Sequence, residues 1–232
     1  MKAVLLSFFV ILLYSEALAQ TNYHKLGIGG GGGFTQSFTD VSSHDFAPAI
    51  YGTLDYFLTP FLSLGGELQM GKVKANAAPD DAGKRMFTNS YKAASVNGKV
   101  ALGALLDDQQ GAFLNAIRWM YIGAGGGVIH HNMVKIRRVD PRTADKFPGK
   151  DHSNELMIPL NAGFSYYFSD AYGKPKFGIN VNFQKCITLG EGLDGYDDSA
   201  INFESGSPDN YNFFSIGLRY QFGPVSVSRK SL

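Results

Sequence analysis

The stretch Asn212–Phe222, NFFSIGLRYQF, decides how the chain folds. Phe214, Ile216, Leu218, Tyr220 and Phe222 fall on one face, and Ser215, Gly217, Arg219 and Gln221 on the other. That strict period of two is a β-strand with one apolar and one polar side. The same rule reads back through the chain. Ile179, Val181 and Phe183 alternate with Asn180, Asn182 and Gln184. Leu156, Ile158, Leu160, Ala162, Phe164 and Tyr166 oppose Asn161, Gly163, Ser165 and Tyr167. Val96, Val100, Leu102 and Ala104 oppose Ser95, Asn97, Lys99 and Gly103. Leu62, Leu64, Leu68 and Met70 oppose Ser63, Gly65, Glu67 and Gln69, and Ile50, Leu54, Tyr56 and Leu58 oppose Thr53, Asp55 and Phe57. Two glycine-rich segments, Leu26 to Thr35 and Met120 to Met133, bring the expected strands to eight. Many exceed the five or six residues usual in globular sheets and approach the ~9–11 that a tilted transmembrane strand needs.

Alternation alone fits a soluble barrel as well as a membrane one, so the connections matter. Long polar segments follow the first, third, fifth and seventh strands: Ser37 to Phe46, Ala75 to Thr88, Arg137 to Ser153, and Glu191 to Asn210. Shorter turns follow the second, fourth and sixth, at Thr59-Pro60, Asp107 to Arg118, and Ser169 to Lys176. All long loops then lie at one end and both termini at the other, the pattern of outer-membrane barrels. The expected fold is an all-β, eight-stranded antiparallel up-and-down transmembrane barrel.

Residues 1–19, MKAVLLSFFVILLYSEALA, have a basic start at Lys2, an apolar run from Val4 to Leu13, and an A-x-A site at Ala17-Leu18-Ala19. They read as a secretory signal peptide, too short in its apolar run to span a bilayer. The expected organisation is a signal peptide over 1–19, a barrel over 20–222, and a short tail over 223–232.

Composition narrows the function. The 232 residues include 28 glycines and one cysteine, with 21 basic and 20 acidic residues for a net charge of +1. The balanced charge speaks against nucleic acid as a partner, and a lone Cys186 excludes a disulfide scaffold. Apolar residues at 44% argue against disorder.

The segment Ser215-Ile216-Gly217-Leu218-Arg219-Tyr220-Gln221-Phe222 matches the C-terminal assembly signal of outer-membrane proteins, a polar residue, a glycine and two aromatics in alternation. With the leader and eight strands, the chain resembles the small OmpA/OmpX-type outer-membrane β-barrels. The glycine-rich opening strand from Tyr23 to Gly30 is similar to barrels of Bacteroidetes. The resemblance implies a cell outer-membrane location, with recognition of Ser215, Gly217, Tyr220 and Phe222 by the barrel assembly machinery. No peptidoglycan-binding domain is expected after the barrel, and residues 223–232 follow the signal where many members end. The family is functionally mixed, so the resemblance names an architecture rather than an activity.

Several residue groups are candidates for a site. Asp55, Glu67, Lys99 and Arg219 sit on the lumen face. They either form a charge-compensated plug or sit apart at different heights in watery pockets. Trp119, Tyr167, Phe168 and Phe177, with Phe61, Tyr220 and Phe222, are expected to form an interfacial belt at the turn end. Phe34, Tyr91, Phe183 and Phe214 are expected nearer the loop end. Gly27–Gly32 formally contains G-x-G-x-x-G but lacks the preceding strand and following helix of a nucleotide site. Gly123–Gly127 reads the same way, and both stretches are expected to make room in a narrow barrel.

His130 and His131 near Ser153, Asp151 and His152 suggest a lipid A-modifying barrel enzyme, but no triad spacing is present. The acidic Glu191, Asp194, Asp197 and Asp198 do not match a calcium loop and read as solvated. Lys135, Arg137, Arg138, Arg142, Lys146 and Lys150 either meet lipopolysaccharide phosphates or form an ordinary solvated loop. Cys186 reads as a small strand residue. The functional expectation is a non-enzymatic structural or surface-binding barrel with a plugged lumen, without cofactor or metal. Its expected partners are outer-membrane lipid, lipopolysaccharide and an extracellular ligand met through the loops. A narrow pore and the lipid A-modifying enzyme are the alternatives.

Overall fold

The structure, a computed structural model, describes residues 21–39, 41, 43–77, 84–106, 114, 117–144, 146–171, 173–190, 192–196 and 209–228. The leader over 1–19 and the loop acids Glu191, Asp197 and Asp198 lie outside the described residues. Eight strands close into one antiparallel barrel in sequence order, with β8 pairing back onto β1. They are β1 (Thr21–Phe38), β2 (Phe46–Thr59), β3 (Leu62–Ala75), β4 (Phe87–Ala101), β5 (Met120–Ile136), β6 (His152–Ser169), β7 (Pro175–Thr188) and β8 (Asn210–Ser228).

The register fixes the barrel's shape. The row of paired residues that starts at Leu26 runs through Tyr56, Leu64, Gly98, Ala124, Leu160, Lys185 and Asn212. It re-enters β1 at Gln36, ten residues further along the same strand. With eight strands that stagger tilts each by about 40° to the barrel axis.

The expected strands are present, but several ends differ. Phe87 and Thr88, expected at the end of a long loop, and Asn89 to Ala94, outside the expected strand, belong to β4, which then stops at Ala101. Leu102 to Ala104, read as strand, form a short 3-10 turn whose Gly103 lies against the ring of Phe61. At the other terminus β8 continues past Phe222 to Ser228, paired with β1 through Asn22↔Val227. The segment read as a tail is thus largely strand. A register shift between His24 and Leu26 accommodates this, opposite Gly223, whose φ of +83° is a glycine conformation.

The two faces exchange character along the barrel. From the turn end upward, the outer face carries exposed apolar side chains such as Leu54, Leu64, Val96, Ile122, Leu156, Val181 and Ile216. Along β8 this face runs from Phe222 up to Phe214 and gives way to Asn212. At ~3.3 Å per residue and ~40° tilt, that is an apolar band of roughly 20 Å. Above it the outer face turns polar, at Gln36, Lys72, Lys92, His130, Asn154 and Lys185. There the inner face turns apolar, with Val73, Phe87, Tyr91, Ile129, Met157, Cys186, Tyr211 and Phe213 buried together.

Candidate functional site in the barrel lumen

The lumen is filled at three levels. At the turn end Phe57 and Phe61 are buried, and Trp119 packs between Phe61 (ring centroids 5.2 Å) and Tyr167 (4.8 Å). The Arg118 guanidinium lies 5.7 Å from the Phe61 ring centroid, a cation–π contact. Trp119, Phe61 and Tyr167, expected in the interfacial belt, therefore pack against one another on the lumen side at the turn end. The period of two explains Tyr167: its neighbours Tyr166 and Phe168 point outward, so it must point inward. Phe168, Phe177 and Tyr220 do stand on the outside, Phe168 edge-on to Tyr166 and Phe177 against Tyr220. Phe34, Phe183 and Phe214 are likewise outward, whereas Tyr91 is buried inside.

The middle level holds the four charges. Arg219 Nη2 is 3.5 Å from Asp55 Oδ2, and Lys99 Nζ is 3.9 Å from Glu67 Oε2, all four residues being less than 9% exposed. Glycines make the room: a Cβ on Gly65 would collide with the Asp55 carboxylate, and one on Gly29 would meet Arg219 Cγ at 3.0 Å. The inward glycines Gly27, Gly29 and Gly123 of the glycine-rich stretches thus make room for the lumen side chains Phe57, Arg219 and Lys99. The cavity between these charges and the aromatic floor is about 30 Å³, room for about one water.

Around the ion pairs runs a chain of amides that the sequence reading did not single out. Glu67 Oε1 accepts from Gln69 Nε2 (2.6 Å) and Gln184 Nε2 (3.1 Å). Asn161 Oδ1 accepts from Gln184 (3.0 Å) and Asn182 (3.1 Å), and Asn161 Nδ2 donates to Asn97 (3.2 Å). Asn180 Nδ2 reaches Ser165 Oγ and the Tyr121 hydroxyl, each at 2.9 Å. Only the inward parity of Gln69, Asn97, Asn161, Asn180, Asn182 and Gln184 was legible beforehand. Who bonds to whom depends on the stagger across non-adjacent strands.

At the loop end the apolar core is capped by loop residues. Val41, Leu193 and Tyr196 are buried into it. Asn89 fixes the cap: its Nδ2 donates to Leu193 O at 2.8 Å, while its Oδ1 accepts from Asn132 N at 3.1 Å. The Tyr196 hydroxyl lies 2.7 Å from Arg137 O and accepts from Met86 N at 3.2 Å, and burial pushes its pKa up. Arg138 Nη1 donates to Gly195 O at 2.9 Å, and Gly195 has φ of +76°. The loop read as solvated and acidic is therefore folded inward over Leu193–Tyr196, with Asp194 itself buried. Among the described residues no group of three His, Cys, Asp or Glu is placed to hold a metal ion.

Two other candidate groups resolve differently. His131 is buried, its Nδ1 2.8 Å from Asn89 Nδ2 and its Nε2 3.6 Å from Glu155 Oε2. Because Asn89 Nδ2 is a donor, Nδ1 is the acceptor and the proton sits on Nε2, facing the carboxylate. Neither nitrogen bonds to Ser153, which faces His131 across β5–β6. His130 points outward instead. In the basic loop, Arg137 donates to Lys84 O (3.1 Å), Arg138 to Asp151 (2.8 Å) and Arg142 to Asp140 (3.2 Å). The hydrogen-bonded guanidinium of Arg138 holds the Asp151 carboxyl below its usual range, and Arg142 does the same to Asp140. Arg137, Arg138 and Arg142 of the basic loop thus each hold a partner within the chain. Cys186 is buried with its Sγ 3.3 Å from Gln184 Oε1.

By sequence, no family model and no curated protein matches the chain. By fold, it is similar to Neisserial surface protein A, with a TM-score of 0.52 at 10% identity, over 88% of this chain and 99% of that one. It also superposes, more loosely, on Ail, the attachment invasion locus protein of Yersinia pestis, in complex with the heparin analogue sucrose octasulfate. That match has a TM-score of 0.46 at 9% identity over 85% and 97% of the two chains. A third is the N-terminal β-barrel domain of Pseudomonas aeruginosa OprF, at 0.39 and 12% identity over 85% and 98%. The closed eight-stranded antiparallel barrel is the fold of small outer-membrane β-barrel proteins.

Proposed function

We propose that the chain is a non-enzymatic envelope barrel of a bacterial outer membrane, with a sealed lumen and a surface role carried by its loop end. The observation that carries this reading is the occupied lumen. Aromatic rings floor it, two ion pairs and an amide chain fill it, and an apolar core capped by Val41, Leu193 and Tyr196 closes it. A passage for solutes needs a continuous watery path, and side chains occupy that space here. The roughly 20 Å apolar band supports insertion with its loops outward. The partners of this reading are outer-membrane lipid and lipopolysaccharide, an extracellular ligand at the loops, and during biogenesis the barrel assembly machinery. That machinery would read Ser215, Gly217, Tyr220 and Phe222.

Cell fractionation with a heat-modifiability gel tests the placement: a chain in the outer membrane that migrates faster unheated than boiled supports it, and a soluble periplasmic chain overturns it. Planar-bilayer recording tests the seal. The wild type is expected to conduct little and Arg219→Ala more. Low conductance in both would count against the charge network as the plug, and steady conductance in the wild type would favour a narrow pore. A lipid A mass change that needs the gene and vanishes with His130→Ala would favour the enzyme.

A further inference from the structure

The outer wall between β2 and β5 is unevenly covered. Leu54, Leu68, Val96 and Val128 rise as ridges around an apolar groove of about 560 Å³ whose floor is bare backbone at Gly66 and Gly126. A second hollow of about 280 Å³ shares Leu68 and Val128 with it and leads toward the loop end, where it finishes at Lys92, His130 and Asn154. These three form one row, Lys92 facing His130 across β4–β5 and His130 facing Asn154 across β5–β6. His130 Nδ1 lies 2.7 Å from Asn154 Oδ1, so that nitrogen carries the proton, and Nε2 is left to accept from a donor such as the P–OH group of a phosphate monoester.

Two observations mark this groove. A Cβ built on Gly66 or Gly126 meets nothing within 4 Å, and on the outward Gly52 and Gly98 it would meet only backbone oxygens at 3.8 and 3.9 Å, whereas the lumen-facing Gly31 and Gly33 have no room because a Cβ there would strike the β8 backbone. The chain's own packing therefore gives no reason for bare backbone at 66 and 126. The acids of the strands, Asp55, Glu67 and Glu155, are all turned to the lumen side. Lys92 and His130 thus present positive charge and a hydrogen-bonding ring on an outer face with no carboxylate among the described residues.

We propose that this groove seats one phosphate-bearing, multiply acylated lipid of the outer leaflet. One acyl chain lies in the Gly66–Gly126 trough, and a phosphate rests against Lys92 Nζ and His130. The charge at the groove's upper end favours this occupant over a second copy of the chain, because two such faces would set Lys92 and His130 against their own likes. The inference rests on the outer-membrane reading above and deepens it.

The test folds the barrel into phosphatidylcholine vesicles containing bis-phosphorylated lipid A, extracts it gently, and counts retained lipid by native mass spectrometry. Heat-modifiable migration reports insertion separately. The expected result is one lipid A per wild-type barrel, and about tenfold less for Lys92→Gln/His130→Gln, for Gly66→Leu/Gly126→Leu, and for lipid A stripped of phosphate. Wild-type retention by either variant, or of the phosphate-free lipid, overturns the proposal. Equal retention of phosphatidylglycerol overturns the outer-leaflet assignment. A crosslinked wild-type dimer that Gly66→Leu/Gly126→Leu abolishes assigns the groove to a second copy instead. Failure to insert would sink the membrane reading, whereas insertion without retention would sink the lipid seat alone.

Discussion

In the band from Phe222 up to Phe214, each strand sends its apolar side chains out and its amides and charges in. Above that band the same strands do the reverse, with Tyr211, Phe213, Tyr91 and Ile129 buried inside and Asn212, Lys92 and His130 outside. The lower storey is the inverse of a soluble core, apolar outside and polar inside, and the upper storey packs like a small soluble core. The solvent outside decides which face must be apolar. Hydrocarbon demands apolar atoms on the outer wall, and water rewards their removal to the interior. Phe213 and Phe214, adjacent in sequence, mark the exchange, one buried and the other 42% exposed.

The sharpest way to break this comparison is to disturb each storey's interior. Arg219→Ala leaves Asp55 as a buried charge without its partner, and should cost about 3–5 kcal/mol. Urea titration of the vesicle-folded barrel, read by heat-modifiable migration, measures it. A loss below 1 kcal/mol would mean that water reaches the pair. Ile129→Ala in the upper storey should cost about 2–5 kcal/mol through a cavity, and replacing it with another apolar residue of similar volume should restore most of that.

The outer faces supply a matched pair. Ile216→Arg, near the middle of the apolar band, should cost about 2–4 kcal/mol, and Asn212→Arg, at its upper edge, about 0–1. Equal costs would mean that the band is misplaced along the barrel.

The smallest expected effect concerns the cap. Asp151 has its folded pKa depressed by Arg138, whose other hydrogen bond holds Gly195. A depressed carboxyl contributes stability that is present above its unfolded pKa and lost as pH falls through the folded one. Labelling of the buried Cys186 thiol under the cap, with a pyridyl disulfide that reacts in acid and corrected for the rate on the unfolded chain, should therefore stay slow from neutral pH down to the normal carboxylate range. It should quicken modestly as pH falls through that range and below it, and Asp151→Asn should remove the acid-dependent step. No change with pH in either protein would remove Arg138–Asp151 from the cap.

Much of the lower storey was legible in the sequence. Leu218 and Arg219 differ in chemistry and alternate in position, so their opposite faces follow from the period alone. The upper storey was poorly legible for the same reason. In Phe87–Ala94 the apolar Phe87, Tyr91 and Ala93 alternate with Thr88, Ser90 and Lys92, but the apolar side is now the inner one. A reading that looks for apolar residues on the lipid face meets a polar one there and does not carry the strand through the segment. Trp119 was misplaced because an aromatic beside a turn is chemically suited both to a lipid interface and to a barrel floor. Its contacts with Phe61 and Tyr167 depend on closure of the ring of strands. The four lumen charges were legible as inward residues, but their pairing was not. Asp55 on β2 meets Arg219 on β8, with β1 lying between them.

The sequence by itself determined eight alternating strands, the end at which the loops are long, and the set of side chains that point inward. Those follow from local geometry, because a strand's side chains alternate whatever lies around it. Tertiary structure alone decided which inward groups meet, that Leu193 and Tyr196 fold back as a cap, and that Gly66 and Gly126 floor an open groove. Closing the barrel with a ten-residue stagger brings residues of distant strands to one height. No period along a single strand carries that information.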